Sequence, residues 1–185
     1  MGAMRFSCLL LTCAALSACS PALDWREVSL SDRSRLLFPC KPERLTRSVA
    51  LAEQTLPAQM LVCDAQDSTW SATEFELDDA ALAPQALTQL RHLLSLNLGA
   101  EESALVDAMP AAQTVGTHWH GSVLRGQRPG GTPVTARAVF FAQGRYLYQL
   151  VILTPDVHNA TFDAAAEQFF DGPRWLSSAQ LSGQP

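Results

Sequence analysis

From Leu45 to Val62 the chain alternates with a period of two. Leu45, Arg47, Val49 and Leu51 take one side, with polar Thr46 and Ser48 on the other, and Leu56, Ala58, Met60 and Val62 then repeat the pattern. Successive side chains of a strand point to opposite faces, so this spacing is that of a half-buried β-strand and is foreign to a helix. Such strands need neighbours and a second layer to cover their apolar face, which commits the chain to a sheet packed on something else. Glu53 and Gln54 fall at the expected turn. A further strand is predicted from about residue 69 to 77, with Trp70, Ala72 and Phe75 offered to the core. Before these, Asp24–Leu30 and Ser34–Phe38 read as strands, and the second of them is stopped by Pro39 and Pro42.

The period then changes. Leu87, Leu90, Leu94 and Leu98 recur at three- and four-residue intervals, Pro84 suits a first helical turn and Gly99 a stop, so residues 83–98 are predicted to be a helix. Residues 100–114 read as a connection. The strand pattern resumes at Val115–Leu124, Val134–Phe141 and Tyr146–Leu153. The glycines and prolines of 125–133 mark an exposed hairpin loop, and 142–145 a tight turn. A closing helix, capped by Asn159 or Thr161, is expected to run to about Phe170. The predicted fold is α+β, an antiparallel β-sheet of six or seven strands with helices packed on it. It forms one domain over residues 24–176, with a flexible tail at 177–185.

The amino terminus has a separate character. Arg5 precedes an apolar run from Phe6 to Leu16 that is too short to span a bilayer, which takes about 20 residues, and that has the form of a secretory signal. It ends Leu16-Ser17-Ala18-Cys19, which resembles the bacterial lipobox. The resemblance implies a signal peptide at 1–18, lipidation of Cys19 and a short tether over 19–23. Acyl chains on one cysteine would hold the protein to the membrane, since each buried methylene contributes about 0.8 kcal/mol. Ser20, in place of the aspartate associated with inner-membrane retention, points to the outer membrane facing the periplasm. The formal net charge of −5, with few lysines, speaks against nucleic acid as a partner.

That location bears on the remaining cysteines. Cys8 and Cys13 leave with the signal and Cys19 takes lipid, so Cys40 and Cys63 remain in a compartment where disulfides persist. They stand too far apart for a Cys-x-x-Cys redox pair and close the strands in which they lie, so a structural Cys40–Cys63 bridge is predicted.

Leu37-Phe38-Pro39, the mid-chain helix, the meander ending in residues 139–150 and a last helix with Phe169-Phe170 together resemble the Mog1/PsbP-like fold, whose bacterial members include envelope lipoproteins similar to DcrB. The resemblance covers most of the chain after the signal. It implies an accessory or binding role at the envelope, without catalysis and without a cofactor, and with an envelope protein as partner.

Residues able to carry chemistry are few. His118 and His120 flank Trp119 in a strand, where both imidazoles would face one side and form two ligands of a metal site, with His92 or His158 as a third. The bland alternative is a solvent-facing pair beside a core tryptophan. Glu74, Glu76, Asp78 and Asp79 read as the solvated face and end of a strand. Arg125, Arg128, Arg137 and Arg145 offer a candidate partner surface near hairpin tips. Phe140, Phe141, Tyr146 and Tyr148 read as sheet core. No serine or cysteine lies in a recognisable nucleophile motif. Three functions follow in order: a non-enzymatic envelope accessory protein, a metal-binding module on His118 and His120, and a hydrolase with an unrecognised site.

Overall fold

The computed structural model describes residues 23–100, 117–155 and 160–175. Eleven regular elements follow one another: β1 Arg26–Val28, β2 Ser34–Phe38, β3 Glu43–Leu51, β4 Gln54–Ala65, β5 Ser68–Glu76, α1 Ala83–Leu98, β6 Thr117–Gln127, β7 Pro133–Gln143, β8 Tyr146–Thr154, α2 Ala160–Asp171 and β9 Arg174–Trp175. The larger sheet runs β3-β4-β5-β8-β7-β6, antiparallel at every pairing, and a smaller one runs β1-β2-β9. The α+β class read from the sequence is present. An antiparallel sheet of six strands is present with it, and β1, β2 and β9 separate into a second, smaller sheet. β9 has two residues, too few to carry a period, and it exists because it pairs with β2.

The six-stranded sheet is covered on both faces. Ala136, Ala138, Phe140 and Ala142 of β7 turn toward α1, packing with Leu87, Leu90 and Leu98. Val139 and Phe141 turn the other way, toward α2 and the small sheet. A strand buried on both sides needs apolar residues at every position, and Val134–Ala142 is a nearly unbroken apolar run for that reason. β3 is the opposite case. It lies at the sheet edge, most of its residues are exposed, and it keeps the alternating pattern.

Aromatic rings dominate the second layer. Phe169 of α2 meets Trp70 of β5 and Phe38 of β2 edge to face, both at 5.3 Å between centroids. Such pairs contribute about 0.5–1.5 kcal/mol each beyond their buried area. Trp25, just before β1, meets Trp70 at 6.3 Å. Cys40, two residues beyond β2, is bridged to Cys63 of β4, with Cα atoms 6.1 Å apart. The predicted disulfide is therefore present, and it fastens the small sheet to the large one.

Loop chemistry explains several shifts of boundary. Leu51 pairs with Gln54, so the first hairpin turns at Ala52 and Glu53, one residue earlier than the sequence suggests. Both have positive φ, 49° and 63°, as do Gln66 and Asp67 in the next hairpin, 50° and 60°. Two-residue hairpins favour this left-handed turn because it matches strand twist, although non-glycine residues adopt it at a cost. In the second half the hairpin strands extend to Gln127 and from Pro133, and the loop shrinks to residues 128–132. It is closed by the Arg128 N–H donating to the Thr132 carbonyl at 2.8 Å. Gly126 lies within β6 because a Cβ there would collide with the Leu98 carbonyl at the end of α1. That helix starts with Pro84 in its first turn and stops at Gly99, φ 55°, as its sequence predicts. Thr161 lies inside α2 rather than capping it. Asn159, the connection at 101–114, the signal and the tail fall outside the described residues. No helix among the described residues is long and apolar enough to cross a membrane.

Replacing both Cys40 and Cys63 with alanine is expected to cost about 3 kcal/mol, read as a drop of about 6–12 °C in Tm. An unchanged Tm counts against a stabilising bridge. Glu53→Gly removes the positive-φ penalty at an exposed turn residue and is expected to add about 0.5–1 kcal/mol in urea unfolding, with an unchanged m-value.

Candidate functional site

Where the small sheet meets the large one, a polar cluster interrupts the apolar packing. Its centre is Glu74 of β5, which is 7% exposed. Parity puts it there. Residues 70, 72 and 74 share a face, and Trp70 and Ala72 are fully buried on it. Glu74 is therefore not on a solvated face, as its neighbours in sequence suggested. Glu76, one step closer to the strand end, is exposed and pairs with Arg145 at 3.1 Å. The signal for Glu74 was its register with Trp70, which the run of four acidic residues obscured.

Ser31, in the connection between β1 and β2, donates its hydroxyl to Glu74 Oε2 at 2.7 Å. The same oxygen of Ser31 accepts from the Arg33 N–H at 3.2 Å, which folds the connection back on itself. Directly opposite Glu74 on β8 stands Tyr148, fully buried. Its hydroxyl makes no hydrogen bond of good geometry within the described residues, and the Glu74 carboxylate acts on it through its charge. The Tyr148 ring packs in a triangle of rings, with Trp175 of β9 at 4.2 Å and Phe141 of β7 at 5.1 Å, the latter two 4.9 Å apart. The Arg33 guanidinium sits 4.3 Å above the Tyr146 ring at the margin.

The electrostatics follow from burial. Loss of solvent raises the proton affinity of Glu74, and the Ser31 hydrogen bond and the Arg33 charge only partly oppose it. Burial also holds Tyr148 firmly protonated, reinforced by the neighbouring carboxylate. The group is thus a proton-binding carboxylate beside a hydroxyl that stays neutral, with an indole against the phenol ring.

Other candidates are dispersed. Register shifts between Thr117 and His120, where three steps on β6 match two on β7. His120 is half-buried opposite Phe140, and the His118 side chain and all of His158 lie outside the described residues. Among the described residues no three His, Cys, Asp or Glu side chains are placed to hold a metal ion.

The four arginines do not form one patch. Arg125 and Arg128 lie at the β6–β7 hairpin, and Arg145 lies at the opposite end of β7. Arg128 donates to Thr69 Oγ1 at 3.2 Å and is half-buried. Arg137 is inside the second layer, bonded to Asp163 of α2 at 2.6 Å and set over the Phe162 ring. A strand separates successive hairpin tips by its full length, which is why spacing alone could not gather these residues. Of the aromatic set, Phe140, Phe141 and Tyr148 are buried and Tyr146 half-buried, in keeping with a core role. Two hollows open elsewhere. One of about 740 Å³ lies between the end of α1 and the β6–β7 hairpin, beside Arg125 and Gly99. The other, about 390 Å³, lies between the β3–β4 turn and α1, beside Gln89 and His92.

Glu74 makes stability depend on pH. Its folded proton affinity is raised, so its contribution is fully present below the ordinary carboxyl value of 4.5 and is lost as pH rises through the raised value. Glu74→Gln keeps an acceptor for Ser31, offers a donor to Tyr148 and removes the buried charge. The variant is expected to melt above the parent at about pH 8, with the gap closing by about pH 4. A gap of the same size across that range would contradict the assignment.

No family model matches the chain. No curated relative is found. A comparison with solved structures finds a protein of Bacteroides thetaiotaomicron VPI-5482, determined at 1.50 Å, with 13% identity and a TM-score of 0.39. The match covers 84% of this chain and 43% of the other, so the chain spans less than half of that protein's length.

Proposed function

We propose that the chain is a lipid-anchored envelope lipoprotein of the Mog1/PsbP-like type, held at the outer membrane facing the periplasm, with a non-enzymatic accessory role toward another envelope protein. The observation that carries this reading is Leu16-Ser17-Ala18-Cys19, placed directly after a basic residue and a short apolar run. The Cys40–Cys63 bridge supports it, because disulfides persist in oxidising compartments. The order of strands, helix, meander and helix supports the Mog1/PsbP-like part. So does the short stretch between Cys19 and Trp25, which keeps the domain close to its anchor.

The experiment is metabolic labelling with a fatty acid, combined with fractionation of the envelope. The parent protein is expected to incorporate label at Cys19 and to require detergent for release. Cys19→Ala is expected to abolish labelling and to move the protein to the soluble fraction. Labelling that survives the substitution, or release of the parent by salt alone, would refute the anchor. Crosslinking of the anchored parent that yields no envelope protein would refute the accessory role.

A further inference from the structure

β3 is the outer strand of the six-stranded sheet, and among the described residues no strand pairs with its outer edge. The hairpin turn fixes which of its backbone groups are used. In a two-residue turn the closing pair, here Leu51 and Gln54, exchanges both backbone hydrogen bonds. The odd-numbered residues 43 to 51 are therefore bonded to β4. Arg44, Thr46, Ser48 and Ala50 direct their N–H and C=O groups outward. Pro57 agrees with this pattern, since it stands opposite Ser48 where β3 asks no N–H of it. Among the described residues nothing pairs with those outward groups.

Edge strands in natural proteins are blunted by proline, a bulge, short length or charged side chains. Of these β3 has only the charges. It has nine residues in unbroken register with β4 and no proline. Its charges do the selecting instead. Glu43 and Arg47 are exposed, and Leu45 between them is half-buried on the same face.

We infer that β3 is the self-association edge of this protein, pairing antiparallel with β3 of a second copy about a two-fold axis through Leu45. The outward groups impose even-with-even pairing, which leaves only a few registers. With the axis at Leu45, Arg44 exchanges backbone bonds with Thr46 of the second copy. Glu43 then faces Arg47 of the other copy on both sides of a Leu45–Leu45 contact. Opposite charges directly across a strand pair are stabilising, and like charges are destabilising. With the axis at Arg47, each Arg47 faces its own copy, and like charges directly opposite disfavour that register. The surface is self-complementary in sequence and in backbone pattern, as a two-fold interface must be. The inference does not depend on the lipid anchor.

The test is disulfide trapping in the full chain, purified in detergent, read on non-reducing gels against the parent as baseline. In the paired register two Leu45 residues form a non-hydrogen-bonded pair with Cα atoms about 4.5 Å apart, within disulfide reach. Leu45→Cys is therefore expected to crosslink as a dimer under mild oxidation. Val49→Cys, which has no copy of itself opposite, is expected to stay at the baseline. Adding Arg47→Glu to Leu45→Cys should lower the yield about tenfold, and adding Glu43→Arg as well should return it to within about threefold of the start. Absence of a Leu45→Cys dimer, equal trapping at Val49, or a yield indifferent to both charge changes would overturn the proposal. Circular dichroism of each variant shows that loss of trapping is not loss of fold.

Discussion

Strands β7 and β8 are buried on both faces, and most of the molecule exists to cover them. Each is apolar at nearly every position, so an uncovered face would expose a continuous apolar surface at about 25 cal/mol for each Å². α1 closes one side. The other takes α2 together with three short strands, because one helix is narrower than the sheet it must protect. β1, β2 and β9 are too short to be stable alone and gain their order from that contact. The disulfide acts at the same interface, tying the end of β2 to β4 where the apolar cover thins.

The second layer has a polar cost. Glu74 falls on the buried face, and a carboxylate there must find a partner or a proton. It finds both in part, a hydroxyl donor from Ser31 and a raised proton affinity. This explains why the Ser31–Arg33 connection folds inward.

The two ends of the sheet differ in what they offer outside. β3 keeps the alternating pattern of a strand covered on one side, and its free edge presents backbone groups in a fixed rhythm. The arginines at the hairpin tips are divided by the length of β7, and Arg128 at one tip and Arg137 within β7 are engaged in internal contacts.

Period and punctuation made much of the fold legible. The α1 helix from Ala83 to Leu98, the hairpins around β4 and β7, and the Cys40–Cys63 pair are local matters, or nearly so, because they depend on residue spacing, on turn chemistry and on a thiol lacking any other partner. The sequence by itself determined these. Tertiary structure alone decided that the strands form two sheets, that β9 exists, that register shifts between Thr117 and His120, and that Glu74 is buried while Glu76 is not. Each of these turns on which element lies over a given face. A pattern of alternation says that a residue points up or down. It does not say whether water or another layer waits there.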